Sequence, residues 1–72
     1  MATKKRKYDS AELANKFVLT FDESLQYFQI GERRLRRLMA ENEGASWLLW
    51  VGNRHYIKRP LFEKYLESVD HL

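Results

Sequence analysis

The chain has 72 residues, no cysteine, two histidines, ten aromatic residues and a formal charge of +3. A single small domain is expected, its core made from apolar and aromatic side chains alone, because disulfides are excluded and the histidines have no zinc-ligand spacing; no metal or other cofactor is expected. No apolar run approaches the roughly 18 residues that span a bilayer, and the basic N-terminus leads into polar sequence rather than a signal-peptide core. These features imply a protein of the cytoplasm without membrane contact.

Residues 1–15 are polar and charged without sustained periodicity, so they are read as a flexible basic tail, with residues 16–72 as the folded domain. The cluster Lys4-Lys5-Arg6-Lys7 suits a phosphate backbone or minor groove, and equally suits a solubilising end. Lys16 to Thr20 then supplies β-favouring residues for a short strand. Thr20 and Glu23 have the spacing of a capping box, in which the hydroxyl accepts from an early helical amide and the carboxylate returns the bond. The helix that starts there carries Phe21, Leu25 and Phe28 on one face and is expected to end near Gln29-Ile30-Gly31, with glycine easing the turn.

A second helix follows at once. Leu35, Leu38, Met39 and Asn42 mark its inner face, and Gly44 stands where a residue after the C-terminal cap is expected. Two short helices joined by about three residues form a helix-turn-helix layout. Trp47 to Val51 and Arg54 to Lys58 are expected to pair as a hairpin across a type II′ turn at Gly52-Asn53, which sets Val51 opposite Arg54 and Trp50 opposite His55. The first strand can add to that hairpin. Pro60 fits the first turn of a last helix bearing Phe62, Tyr65, Leu66 and Val69. The expected class is α+β, a small winged helix-turn-helix in the order strand, helix, helix, hairpin, helix.

Eleven of the thirteen basic residues fall into three clusters: the tail, Arg33 to Arg37, and Arg54 with Lys58 and Arg59. Segregated charge of this kind favours a polyanionic partner. With Leu35 inward and about 100° per residue, Arg33 and Arg37 point away from the core with Ala40 beside them, whereas Arg34 and Arg36 lie on the flanks. Arginine donates two hydrogen bonds to guanine O6 and N7 in the major groove, so Arg33 and Arg37 are candidates for base edges. Arg34 and Arg36 are candidates for phosphates, and Ala40 would let the helix lie close. The alternative is an ordinary solvated face paired with Glu32 and Glu41.

The hairpin tip Gly52-Asn53-Arg54 has the make-up of a wing. Arg54 can enter a minor groove or grip a phosphate, and Lys58 and Arg59 lie farther back, where backbone contact is expected; any polar hairpin turn would carry similar residues. Trp47, Trp50 and Tyr56 suit stacking on single strands or packing within the domain, and a chain this small needs its aromatics for burial. No phosphate-binding loop, metal motif or paired nucleophile and base is present, so an enzyme is not expected.

Leu19-Thr20-Phe21-Asp22-Glu23-Ser24-Leu25-Gln26-Tyr27-Phe28, then Ile30-Gly31-Glu32, Leu35-Arg36-Arg37-Leu38, Gly52-Asn53-Arg54, Ile57-Lys58-Arg59 and Phe62-Glu63-Lys64 together resemble the excisionases of conjugative transposons. The resemblance spans about residues 17–69 in order and nearly without gaps; the basic tail lies outside it. It implies a winged-helix protein, without catalytic activity of its own, that binds and bends double-stranded DNA near the ends of an integrated element. It also implies a tyrosine-type integrase as partner, contacts with further copies of the same chain, and a bacterial, nucleoid-associated location. By matching position it places Arg36 and Arg37 on the recognition helix and Asn53 and Arg54 at the wing tip, with His55 standing where an apolar residue is expected. A small winged-helix transcriptional regulator, or an adaptor whose arginines meet an acidic protein, would share much of this pattern.

Overall fold

The computed structural model describes residues 8–70. The element order is α1 (Ser10–Ala14), β1 (Val18–Leu19), α2 (Phe21–Phe28), α3 (Glu32–Glu41), β2 (Leu48–Val51), β3 (Arg54–Lys58) and α4 (Arg59–Glu67). The chain is thus α+β, and its strands form one antiparallel sheet in the order β1-β3-β2. No helix among the described residues is long and apolar enough to cross a membrane.

The element order differs from the expected one by α1, which falls in the stretch read as tail. Asp9 caps it by accepting from the Ala11 amide at 2.9 Å, and Leu13 is buried. One turn and a half cannot display a helical repeat, which is why periodicity missed it. Lys4–Lys7, the basic part of that tail, lies outside the described residues.

The hairpin has the expected register: Val51 faces Arg54, Trp50 faces His55 and Leu48 faces Ile57. Gly52 takes φ +61° whereas Asn53 does not enter the positive-φ region, so the turn is type II′, the hand that matches strand twist. β1 joins the free side of β3 with Leu19 against Ile57, both fully buried. Alternation along each strand then turns Leu48, Ile57 and Leu19 toward the helices, where Leu35, Leu38, Met39, Trp47 and Phe62 complete the core.

Phe62 is the hub of the aromatic packing. Its ring lies 4.7 Å from Phe28 and 4.6 Å from Trp47, both edge-on, and 5.7 Å from Tyr65. Pro60 occupies the first turn of α4 as expected. α4 is tied back to α2 by Tyr27, whose hydroxyl donates to Glu63 Oε2 at 2.8 Å; that bond, with burial, raises the phenol above its usual pKa.

α2 ends where expected, at Gln29, but neither glycine supplies the left-handed backbone expected at the two helix ends. Gln29, not Gly31, takes the left-handed conformation that ends α2, at φ 55°, while Gly31 is extended and opens α3. Gly44 has no positive φ either. Instead Asn42 closes α3, its amide donating to Leu38 O at 2.7 Å and its backbone N–H to Met39 O. A polar side chain that folds onto its own helix end satisfies the carbonyl a left-handed cap would otherwise serve.

The capping box at the start of α2 is complete. Glu23 N–H donates to Thr20 Oγ1 at 3.1 Å, and Thr20 N–H donates to Glu23 Oε1 at 2.9 Å. The other carboxylate oxygen accepts from Lys16 Nζ at 2.5 Å, so this buried acid also fastens the strand entry to α2. Burial alone pushes the Glu23 carboxyl up, but the bonds from Lys16 and Thr20 and the attraction of Lys16 outweigh it and hold the group below its usual pKa. A lowered folded-state pKa adds stability that is fully present above the unfolded carboxylate value and is lost as pH falls through the folded one. Glu23→Gln is therefore expected to cost on the order of 1 kcal/mol near neutral pH. The difference from the parent chain should shrink as urea titrations are carried below the unfolded carboxylate value of about 4.3, and vanish only once the pH has fallen through the lower folded-state one.

Candidate nucleic-acid interface

α2 and α3 are joined by Gln29, Ile30 and Gly31, and the half-buried Ile30 packs this turn against the core. The short connection fixes α3 with one face inward. Leu35, Leu38 and Met39 are buried, and Arg33, Arg34, Arg36, Arg37 and Ala40 are all exposed. A ten-residue helix is about 15 Å long and about 10–12 Å across, which a major groove about 12 Å wide admits.

The four arginines are not equivalent. Arg36 is held in place: its Nη2 lies 2.6 Å and its Nε 3.2 Å from Glu32 Oε2, and its guanidinium sits 4.9 Å above the Phe21 ring. Arg33, Arg34 and Arg37 make no hydrogen bond or ion pair among the described residues. Three unneutralised guanidiniums on one rigid surface leave a local positive field that an exposed, paired face would lack.

Arg36 and Ala40 also line an open groove of about 680 Å³ whose opposite wall is the hairpin. Phe21, Trp50, His55 and Arg54 line it as well, so one concavity joins the second flank of α3 to the strand that follows the turn. Asn53 and Arg54 are exposed at the hairpin tip, Arg54 without an ion pair among the described residues. Arg33, Arg34 and Arg37 stand outside this groove, on the outward part of α3.

Lys58 and Arg59 lie at the far end of β3. Lys58 is half-buried, and its backbone N–H donates to Trp47 O. Arg59 is built into the fold, its Nε donating to Lys16 O at 2.7 Å and its Nη1 to Glu63 Oε2 at 3.2 Å, with its side chain 19% exposed. Its guanidinium ties the β1 entry to α4, whereas the expectation was a charge available to a backbone phosphate.

The pairing with Glu32 that the sequence offered as an alternative holds for Arg36, while the part played by Phe21 was not legible in it. Glu32 and Phe21 together orient Arg36, and only the i, i+4 spacing of Glu32 and Arg36 signalled any of it. The two tryptophans divide: Trp47 is core, 3% exposed, while Trp50 is 51% exposed and its ring centroid lies 3.6 Å from that of His55. Position 55, where an apolar residue was expected, thus holds an imidazole whose ring lies tilted by 53° against Trp50 on the groove wall.

Comparison with known proteins follows the same span. Residues 7–71 match the family model described as "Excisionase from transposon Tn916". A protein of that name from Streptococcus agalactiae serotype V is 49% identical over 55 residues, which cover 76% of this chain and 82% of the relative.

Proposed function

The chain belongs to the family of the excisionase from transposon Tn916, and from that premise we propose that it is a winged-helix factor that binds double-stranded DNA at the ends of an integrated element and bends it for excision. The observation that carries the reading is the outward, one-signed arginine surface of α3 set beside a hairpin that offers Arg54 across a shared groove. In this reading α3 enters the major groove. Arg33 and Arg37 read base edges, Arg34 and Arg36 grip phosphates on either flank, and Ala40 permits close approach. Asn53 and Arg54 form the wing tip on the neighbouring stretch of backbone, and Lys58 adds charge at its base.

Two contacts on different faces of a duplex favour a bend. Curving a site of 20–30 base pairs by 40–90° costs about 1–6 kcal/mol, and a helix and a wing engaged together offset it by contacts a straight duplex does not allow. Strand cutting belongs to a tyrosine-type integrase in this scheme, and the chain itself supplies DNA geometry and a surface for the integrase and for further copies of itself. It acts in the bacterial cytoplasm, at the nucleoid.

The test is duplex binding across a salt series, with element-end DNA and scrambled DNA of equal length. Four phosphate contacts predict a slope of log K on log salt near about −3.6, with tighter binding to element ends. A flat, weak response indifferent to sequence would overturn the proposal. Excision assays with the cognate integrase, with and without this protein, then test its place in recombination.

A further inference from the structure

The helix proposed above to enter the major groove begins with an acid. Glu32 is the first residue of α3, and its side chain is 59% exposed beside the arginines of that helix. Every phosphate of a duplex repels a carboxylate placed there, so it weakens binding to all sequences unless it makes a contact of its own. The geometry shows which of its oxygens is committed. Arg36 donates from Nε at 3.2 Å and from Nη2 at 2.6 Å, and both bonds go to Glu32 Oε2. Oε1 has no hydrogen-bond partner among the described residues.

Two donors from one planar guanidinium restrict the carboxylate's rotation, and that guanidinium is itself seated 4.9 Å over the Phe21 ring of α2. Glu32 is therefore steadied from the neighbouring helix, through Arg36, with Oε1 left over as an acceptor at the leading end of α3. The pairing also lowers the cost of bringing an acid to DNA, because Arg36 offsets its charge and keeps its remaining N–H groups for a phosphate. In helix-turn-helix proteins the N-terminal residues of the second helix are the ones that reach base edges. In the major groove only cytosine N4 and adenine N6 present donors, and adenine sets the N7 acceptor beside its own, which repels a carboxylate. An oxygen that can only accept thus selects cytosine.

We propose that Glu32 is a specificity-determining residue, its Oε1 accepting from N4 of one cytosine in the target site while Arg36 holds it by Oε2. The proposal rests on the reading of α3 as the major-groove helix. It adds to the guanine contacts of Arg33 and Arg37 one of opposite polarity, which an all-arginine surface lacks.

The experiment crosses two proteins with two bases and uses the full chain. Element-end duplexes are made in which each cytosine in turn, with its pairing base, is replaced by thymine, which exchanges the N4 donor for the O4 acceptor at the same place. At one such position the parent is expected to lose at least about fivefold in affinity. Glu32→Gln keeps the shape of the side chain; with its amide oxygen still on Arg36 it turns an NH2 donor to the base where the parent has an acceptor. At that position it should give up the preference for cytosine in favour of thymine, and its profile elsewhere should match the parent's. Effects of the changed purine are common to both proteins and cancel in the cycle. Scrambled duplex should be bound no more weakly by Glu32→Gln than by the parent, since a charge that repels phosphate has gone. Uniform weakening of every duplex by Glu32→Gln would mean that Glu32 only sets Arg36 on a phosphate, and would overturn the proposal. A parent that tells none of the substituted duplexes apart overturns base reading by α3 and this proposal with it, whereas a selective parent profile that Glu32→Gln leaves unchanged removes this proposal alone.

Discussion

Phe62→Ala is expected to remove about 3–5 kcal/mol, a large part of the protein's stability at room temperature. The side chain is fully buried and touches three rings, Phe28 on α2, Trp47 just before β2 and Tyr65 on its own helix. Removing a phenyl ring from such a site costs about 3–5 kcal/mol, the transfer term plus the cavity left behind. A chain of 72 residues has roughly 4 to 11 kcal/mol in total. The loss is therefore a large part of the margin, and all of it at the lower end of that range, and no disulfide is present to hold the remainder. Urea titration followed by circular dichroism measures it directly. A midpoint close to that of the parent would mean that Phe28, Trp47 and Tyr65 collapse into the space, and the aromatic hub would lose its assigned importance. Phe62→Leu should recover most of the stability, since it restores most of the apolar volume.

Arg37→Ala is expected to act on recognition and leave the fold intact. Arg37 is exposed and makes no hydrogen bond or ion pair among the described residues, so its removal takes nothing from the core. A bidentate arginine contact to guanine discriminates by about 1–3 kcal/mol, or roughly 5- to 150-fold on the preferred site. Binding to scrambled duplex should fall much less. Arg34→Ala provides the contrast: a phosphate contact should weaken all sequences by a similar factor and reduce the salt slope by about one. Equal losses on both duplexes for the two variants would refute the division of α3 into base-reading and phosphate-gripping faces. Arg36 is the poorer choice for this comparison, because its change also frees Glu32 and uncovers Phe21.

Much of the fold was legible before the structure. The capping box at Thr20 and Glu23, the hairpin register through Gly52-Asn53, Pro60 in the first turn of α4 and the buried face of α3 each follow from local chemistry or from a repeat that spans several residues. What escaped was short or depended on a distant partner. α1 has five residues and one buried anchor, too few to announce a period. The ends of α2 and α3 were assigned to glycines because glycine tolerates a left-handed backbone at no steric cost, yet Gln29 bears that conformation and Asn42 removes the need for it. Composition shows which residues can serve a turn, and packing selects the one that does.

The sequence by itself determined that arginines would be exposed on α3, because Leu35, Leu38 and Met39 claim the inner face and a 3.6-residue repeat leaves the rest to solvent. It also determined the II′ turn, because a two-residue Gly-Asn loop allows few others. Tertiary structure alone decided which charges remain available. Arg59 is bound to Lys16 O and Glu63, Arg36 is oriented by Glu32 and Phe21, and Arg54 comes from the hairpin to the groove that Arg36 lines. The physical reason is range. Helical facing and turn geometry act over a few residues and are written in them, whereas the state of a guanidinium depends on whatever carboxylate, carbonyl or ring the folded chain sets within a few ångströms of it.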